Sequence, residues 1–600
     1  MAKKKTKNTG QKLSLRKQKP LSPKLAKKLL LAYSFHQKGD VNQAKDSYEQ
    51  ILAERPSHAE TNFLFGLLIS QEGFPKQSEV FLSKAVQATP SEPRYLVGFG
   101  ILLLKLDKFL EAANILQKAV KIAPTEIEAI YSLGTAYYKL KRTEEAIKYF
   151  DIALNLNAEH LGSLNNMGNA QLALCNIDTA NSFYLKAHKQ NKKALSLLSD
   201  ILLNYNYYTD LSAEEVYQNH KQAAKYFPSK KIVSHQHKPN QKIKIAYISA
   251  DFRVHSVAYF LLPLIKNHNR DKFEIYCFYN GHKVDQITQQ FEALSDHWEI
   301  ISSFNNEKLL NTVVHHNIDI LVDLTGHTSN NRLSVFSQRA APIQITWLGY
   351  PHSTGLQEMD IRLIDEITDP SQESVEISSE KLVRLPNGFL CYEGDESVPY
   401  QKTPPSVKNN FITFGSFNNV AKINDSVIHA WAEILSAVPE SRLIIKSRQL
   451  EEASLCERYL NDFKKLNINP DRVTLLEMIP SLENHLMIYN QIDIALDSFP
   501  YNGTTTTCEA MWMGVPTITF IGDRHAARVG ASIMTHSGYN ELLAKDLKTY
   551  KSLAINIAND SNKLLELRHD MRERMQQSDL CNAKQFTSDM EQAFQNAINT

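Results

Sequence analysis

What this 600-residue chain lacks narrows it first. Its six cysteines, Cys175, Cys277, Cys391, Cys456, Cys508 and Cys581, are scattered with no C-x-x-C pair among them. That spacing argues against a disulfide framework or a zinc site and suits reduced thiols, so a cytoplasmic protein is expected. No run approaches the ~18 apolar residues of a membrane-spanning helix, and no apolar stretch follows the basic start as a secretory signal would require. Neither G-x-G-x-x-G nor G-x-x-x-x-G-K-S/T occurs, which removes the main support for a dehydrogenase or a P-loop kinase. A strong charge bias is missing as well. A net charge of +2 with 22% charged residues argues against a general nucleic-acid binder, which needs a strongly basic domain.

The basic residues collect instead at the start. Lys3, Lys4, Lys5, Lys7, Lys12, Arg16, Lys17 and Lys19 crowd residues 1–24, almost without large apolar side chains. Such a stretch buries too little to offset its ordering entropy, so a solvated, disordered tail is expected. The whole chain is 43% hydrophobic and too long for one core, which implies two to four domains.

A repeat fills the first third. Gly66, Gly100, Gly134 and Gly168 stand 34 residues apart, and so do Ala85, Ala119, Ala153 and Ala187. Pro56, Pro90 and Pro124 keep the same period, and a first unit has Ala32 at the glycine position with Ala44, Tyr48 and Pro56 in frame. Small residues let two helices of a hairpin cross closely. Large ones (Tyr48, Leu82, Leu116, Phe150, Tyr184) fill the hole toward the next hairpin, and proline ends the second helix for want of an N–H. The pattern resembles the tetratricopeptide (TPR) family, with about five repeats over residues 25–194. Stacked hairpins make an α-solenoid with a concave face suited to a polypeptide partner. His36, His58 and His160 sit singly at helix ends or turns and are expected to be solvated.

Residues 195–240 read as a helical connector and polar linker, and then strands alternate with helices. Strands are predicted at Ile243–Ile248, Phe273–Phe278, Ile318–Leu324 and Ile343–Trp347. A second series is predicted at Phe411–Phe414, Arg442–Ile445, Val473–Leu476, Ile492–Leu496 and Thr517–Phe520. Continuous apolar strands between helices imply parallel sheets covered on both faces. Two series divided near Pro404 and Pro405 imply two Rossmann-like lobes, 241–400 and 401–600, with ligands beyond the carboxyl ends of their strands.

The chemistry is concentrated in a few segments. From Asp497 the chain turns through Asn502-Gly503 and enters a helix at Thr504-Thr505-Thr506-Thr507. Threonine side chains and free backbone N–H groups converge at the positive end of that helix, a place that holds a diphosphate. Lys422, just past strand Phe411–Phe414, can offset charge on a departing nucleoside diphosphate, although taken alone it reads as an ordinary surface lysine. In the first lobe, His255 of Asp251-Phe-Arg-Val-His255 lies beyond a strand's carboxyl end, as an acceptor-site group or general base. Asp319, His327 in the turn Thr325–Thr328, and Tyr350 are placed on the same strand-end cleft, as acceptor-side candidates.

Taken together, these segments resemble glycosyltransferase family 41, which holds the protein O-GlcNAc transferases and their SPINDLY-type relatives. The resemblance covers nearly the whole chain, and the long insert between the lobes of the animal enzymes is absent. It implies a GT-B fold of two Rossmann-like lobes, no metal, no cofactor beyond the donor substrate, and inversion at the anomeric carbon. By the same resemblance, His255 is the active-site histidine and Lys422 the lysine on the donor diphosphate. Asn419 is a nearby polar contact, His485 packs on the nucleotide base, Thr505 and Thr506 hold the diphosphate, and Glu509 takes the place of an aspartate that contacts the ribose; Thr504, counted with the nucleotide-sugar site, stands where the animal enzymes have a histidine. The expected function is sugar transfer, from UDP-GlcNAc first, onto Ser/Thr hydroxyls of proteins recruited by the repeats. The Thr-Thr-Thr-Thr-Cys-Glu run looks more like the SPINDLY branch, so GDP-fucose stays open as the donor. A catalytically weak scaffold, a non-protein acceptor and a homo-oligomer also stay open, whereas nucleic acid and a membrane span are not expected.

Overall fold

The computed structural model describes residues 20–229, 235–372 and 377–599. Most of the basic tail, Lys3 to Lys19 included, lies outside them; the first helix starts at Pro23, inside the segment assigned to the tail. The chain divides into two units, Met1–Ala170 and Gln171–Thr600.

The first unit is built of helical hairpins at the period read from the sequence: Pro23–Lys38 with Val41–Glu54, Ala59–Gln71 with Pro75–Ala88, Pro93–Lys105 with Phe109–Ile122, and Ile127–Lys139 with Thr143–Leu156. Helix Leu161–Ala173 ends this unit, and Ile177–Gln190 opens the second. The glycines show why the period exists. A Cβ on Gly66 would fall 2.8 Å from Leu82, on Gly100 2.5 Å from Leu116, and on Gly134 2.7 Å from Phe150. Leu82, Leu116 and Phe150 therefore fill the crossing inside their own hairpin, whereas they were expected to face the next one. Tyr48 does reach onward, its ring 5.9 Å from that of Phe65. His58 and His160 are not merely solvated: their Nδ1 atoms accept from the backbone N–H of Thr61 and Ser163 and cap the helices that follow.

Among the described residues, the second unit carries two all-parallel sheets. The first comprises β1 (Ile243–Ser249), β2 (Phe273–Tyr279), β3 (His297–Ile300), β4 (Ile320–Asp323), β5 (Ile343–Thr346), β6 (Ile361–Ile364) and β7 (Lys381–Arg384), in the order 3-2-1-4-5-6-7. The second comprises β8 (Thr413–Ser416), β9 (Arg442–Lys446), β10 (Val473–Leu476), β11 (Ile494–Leu496), β12 (Thr517–Phe520) and β13 (Leu543–Ala544), in the order 10-9-8-11-12-13. Each sheet winds outward from its first strand and then returns to that strand's other side. The reversals fall between β1 and β4 and between β8 and β11, and there a crevice opens at the carboxyl ends.

Strands β3, β6, β7 and β13 were not predicted. β3, β7 and β13 are sheet edges, where one side needs no apolar cover, so His297, Glu299, Lys381 and Arg384 interrupt the run. β6 holds the buried Arg362, paired with Asp369 at 3.3 Å. The connector also differs from a linker. Helices Leu195–Asn204 and Ala213–Ala224 bury Leu198, Leu202, Val216, Tyr217 and His220, and Ser199 and His220 hydrogen-bond His327 and Tyr350 of the first lobe. The last helix, Ala583–Ile598, leaves the second lobe and packs on helix Ser256–Asn267 of the first. There Glu591 accepts from the backbone N–H of Asn269 at 2.7 Å, and Asn387 Nδ2 donates to Asp589 at 2.8 Å.

The repeat geometry sets one expectation. Gly134→Val would drive two methyl groups into Phe150, and overpacking of this kind costs about 1–3 kcal/mol. Thermal unfolding of the variant is expected to shift downward, whereas Gly73→Ala, at a solvent-facing turn with no atom within 4 Å of the added carbon, is expected to cost only the strain of its positive φ.

Candidate functional site

The second-lobe crevice is organised by a carboxylate. Asp497 follows β11 directly and is 1% exposed. Its Oδ1 accepts from the backbone N–H of Gly503 at 2.7 Å and of Ser498 at 2.9 Å, and from Asn418 Nδ2 at 3.1 Å. Its Oδ2 accepts from the Thr519 hydroxyl at 2.8 Å. Burial lifts this carboxyl above its usual range, against the pull of Gly503, Thr519 and Lys422. The bonds fold residues 498–503 back so that Gly503 delivers the chain into helix Thr505–Trp512. No side chain fits at Gly503: a Cβ there would lie 2.6 Å from Thr507 Oγ1 and 2.7 Å from Thr506 Oγ1.

At the helix start the threonines divide the work. Thr504 occupies the capping position but makes no capping bond, so the first N–H groups keep their donor capacity. Thr506 donates its hydroxyl to Asn418 Oδ1 at 2.8 Å. The Thr505 hydroxyl is buried with no partner among the described residues. An unsatisfied buried hydroxyl beside open N–H groups is what an anion-binding helix end needs.

Lys422 comes from the loop after β8 and reaches the same place. Its Nζ donates to the Asn502 carbonyl at 2.7 Å and stands 3.7 Å over the Tyr501 ring, which stacks on Tyr207 of the connector. Burial lowers its pKa to about 8, with Asp497 opposing. The structure therefore brings Lys422, Thr505 and Thr506 onto one loop system. Asn419 is turned outward and exposed. Its oxygen accepts from Ala421 N–H and Gln449, and so shapes the turn that carries Lys422. The contact with the threonines is made by its neighbour Asn418, which the sequence reading passed over. A doublet of asparagines past a strand end offered either residue.

On the other side of helix Thr505–Trp512 lies a polar chain. Glu509 meets His485 Nε2 at 2.9 Å and accepts from the Tyr489 hydroxyl at 3.4 Å; that hydroxyl also donates to Thr506 O at 3.1 Å. The ring of Phe417 packs 4.4 Å from Tyr489. Lys446, at the carboxyl end of β9, bonds His485 Nδ1 and is 6% exposed. Burial lowers its ammonium below the usual range, Glu509 opposing. Lys446 was also missed, although a lysine closing an apolar strand at the carboxyl edge was its visible signal.

In the first lobe, His255 caps helix Ser256–Asn267, its Nδ1 accepting from Val257 N–H at 3.3 Å and standing 3.7 Å from Asp251. Its side chain keeps 37% of its exposure. Burial lowers its pKa below the ordinary histidine value, with Asp251 opposing. One turn on, Tyr259 is pushed up to about 12 by burial and by the charge of Glu509, so this helix and Thr505–Trp512 lie within electrostatic reach of each other.

The other acceptor-side candidates are placed differently. Asp319 sits at the amino end of β4, away from the cleft, accepting from Lys244 N–H at 2.9 Å and meeting His235 and His237. The strand-end carboxylate is Asp323, bonded to Thr346 and to the N–H groups of Thr325 and Gly326. His327 and Tyr350 are 1% and 6% exposed. They are spent on the connector: His327 bonds Ser199 and the Thr354 carbonyl, and Tyr350 bonds His220 at 2.5 Å. Neither is open to an acceptor. Among the described residues, no group of three or more His, Cys, Asp or Glu is arranged to hold a metal ion.

With this geometry in place, the comparisons with known proteins are decisive on family. Residues 205–407 and 400–590 match glycosyl transferase family 41, and residues 28–58 and 103–164 match tetratricopeptide repeats. The chain belongs to glycosyl transferase family 41. A rice protein described as a probable UDP-N-acetylglucosamine–peptide N-acetylglucosaminyltransferase SPINDLY is 39% identical over 404 residues, 66% of this chain and 43% of that protein. Its Arabidopsis thaliana counterpart is 41% identical over 363 residues, 60% of this chain and 40% of that protein. The chain thus spans less than half the length of these relatives. The solved structure of a Thermobaculum terrenum O-GlcNAc transferase mutant matches with a TM-score of 0.76 at 27% identity, covering 84% of this chain and 97% of that one. The family 41 lobes are accordingly the two sheets described above.

A test of the cradle follows from Gly503. Gly503→Ala would press on Thr506, on the buried Thr507 and on the buried Asn418, so nucleoside diphosphate binding by calorimetry is expected to weaken roughly tenfold or more, with a lowered melting temperature.

Proposed function

We propose that this protein transfers a sugar from a nucleotide donor to Ser or Thr hydroxyls of polypeptides. The observation that supports this most is the convergence of Lys422, the unpartnered Thr505 hydroxyl and the open helix start on one loop held by Asp497. A donor diphosphate lies on the first N–H groups of helix Thr505–Trp512, with Thr505 and Thr506 on its oxygens and Lys422 on its bridging side. Glu509, His485 and Lys446 form the polar wall for the nucleoside. The acceptor hydroxyl approaches from the first lobe and its oxygen bonds the anomeric carbon. The bond from that carbon to the diphosphate oxygen breaks, and the electron pair leaves with the diphosphate. Lys422 and the helix start offset the charge that grows there, the kind of preorganised stabilisation that dominates many enzymes. His255, neutral near pH 7, takes the hydroxyl proton or positions the acceptor.

UDP-GlcNAc is the donor this reading puts first, in line with the names of the SPINDLY relatives and of the Thermobaculum structure. The four-threonine run Thr504–Thr507, which resembles the SPINDLY branch, supports GDP-fucose as the second. The repeats supply the polypeptide-binding surface. Charge compensation by Lys422 and backbone donors calls for no metal, so turnover in EDTA is expected to match turnover without it.

Lys422→Ala is expected to lower kcat by about a thousandfold, the scale of losing one preorganised charge partner, with folding intact. Intact-mass spectrometry of lysate proteins incubated with each donor reads both activity and donor: an N-acetylhexosamine gain or a deoxyhexose gain. Activity of Lys422→Ala within a few-fold of wild type removes Lys422 from the mechanism. The pH dependence has a definite sign. Lys422 must be protonated, so kcat/KM is expected to fall as pH rises through about 8. His255 must be neutral to accept a proton, and its lowered pKa puts the acid limb below the ordinary histidine range.

A further inference from the structure

Beyond the carboxyl ends of β1, β2 and β3, a second cavity of about 370 Å³ opens in the first lobe. It is bordered by the loops that follow β1, β2, β3 and β4, at the crevice where a doubly wound sheet takes ligands. The cations Arg253, Lys283 and Arg332 line it beside His282, and its one carboxylate is Asp251. Nothing in the mechanism above uses these cations.

The charges are not neutralised from within. Asp251 meets Arg253 at 2.9 Å and His255 at 3.7 Å, so its charge is already shared. The neighbouring Asp285 is committed to the backbone N–H groups of Val254, Ile287 and Thr288. Arg332 finds only neutral acceptors: Asn280 Oδ1 at 2.8 Å, the Ile301 carbonyl at 3.0 Å and Asn306 Oδ1 at 3.3 Å. Asn280 is fixed in that role by donating to the Asn330 carbonyl at 2.7 Å. The side chains of His282 and Lys283 are exposed and have no hydrogen-bond or ion-pair partner among the described residues. Three cations, Arg253, Lys283 and Arg332, against one shared carboxylate leave the cavity short of negative charge. Arg332 has no carboxylate partner and keeps one Nη1 N–H beyond its bond to Asn306, so it can offer an oxyanion a charge-assisted contact.

The loop Asp251–His255 ties this cavity to the acceptor side. Arg253 belongs to its wall, and His255, two residues on, faces the proposed reaction. We propose that the cavity is an anion subsite for the acceptor chain, receiving a carboxylate or phosphate group of a residue near the modified Ser or Thr. The inference rests on the polypeptide-transfer reading and adds its sequence preference: acceptors with acidic or phosphorylated flanks. The volume exceeds by far the ~30 Å³ that one water takes up, so a flexible side chain enters with part of its hydration.

The test uses the full-length protein and three Ser/Thr peptides that differ only in their flanks: neutral, glutamate-containing, or phosphoserine-containing. Binding is read by fluorescence anisotropy without donor, and transfer by mass spectrometry with each donor. The wild type is expected to bind the anionic peptides about tenfold more tightly than the neutral one, the scale of a charge-assisted contact. Lys283→Glu, at an exposed position, is expected to erase that difference while leaving neutral-peptide binding and kcat within twofold. A stronger gain for phosphoserine than for glutamate assigns the subsite to phosphorylated acceptors, and equal gains assign it to carboxylates as well. If Lys283→Glu binds anionic peptides as the wild type does, the subsite is overturned, whatever transfer shows. If the binding difference holds but no peptide is modified with either donor, the subsite stands and the transfer reading falls.

Discussion

The buried carboxylate of Asp497 is the constraint on which the donor side depends. Its two oxygens take four hydrogen bonds, from Gly503, Ser498, Asn418 and Thr519. Together they fix three walls of the same small space: the loop before the helix, the loop after β8, and strand β12. A buried charge with this many donors resists any rearrangement that would leave one unpaired, because an orphaned buried partner costs about 1–3 kcal/mol. The cradle is therefore shaped before any ligand arrives, which is the condition for electrostatic stabilisation without reorganisation. Lys422 is placed by the same device, since its acceptor, the Asn502 carbonyl, belongs to the loop that Asp497 folds.

Much of this was legible in the sequence, and the reasons are physical. The 34-residue period was readable because a missing Cβ at Gly66, Gly100 and Gly134 is a steric necessity, repeated once per hairpin. Continuous apolar strands near both switch points revealed two parallel sheets, and Thr504–Thr507 after Asn502-Gly503 revealed the helix start. What escaped was set by contacts far apart in sequence. Asn418 and Asn419 are alike on paper; only the position of Thr506, across 88 residues, separates the bridging one from the one that shapes the turn. Lys446 takes its meaning from His485 and Glu509, both beyond the strand it ends. Edge strands with charged residues carry no apolar signal at all.

The correction at His327 and Tyr350 has the same origin. A strand-end position suggests the cleft, but here the connector covers it. His220 stacks on His352 with ring centroids 4.7 Å apart and bonds Tyr350, while His327 bonds Ser199. Burial lowers all three imidazoles, His220 to about 3 and His327 to about 4. They stay neutral at physiological pH and act as polar packing, so helices Leu195–Asn204 and Ala213–Ala224 are part of the first lobe's wall. Tyr207 extends that wall to Tyr501 and so to Lys422.

The final helix, Ala583–Ile598, gives the two lobes a shared history as well as a shared surface. Helix Ser256–Asn267 ends next to His268, and the carboxylate that bonds His268 belongs to Glu591, 323 residues later in the chain. A ribosome adding about 10 residues per second needs roughly half a minute to cover that distance. Throughout that interval helix Ser256–Asn267 lacks this cover, and a lobe made early is completed by a helix made much later. Birth order and completion order are reversed in this molecule. Its early lobe waits, partly bare, for a helix some three hundred residues downstream.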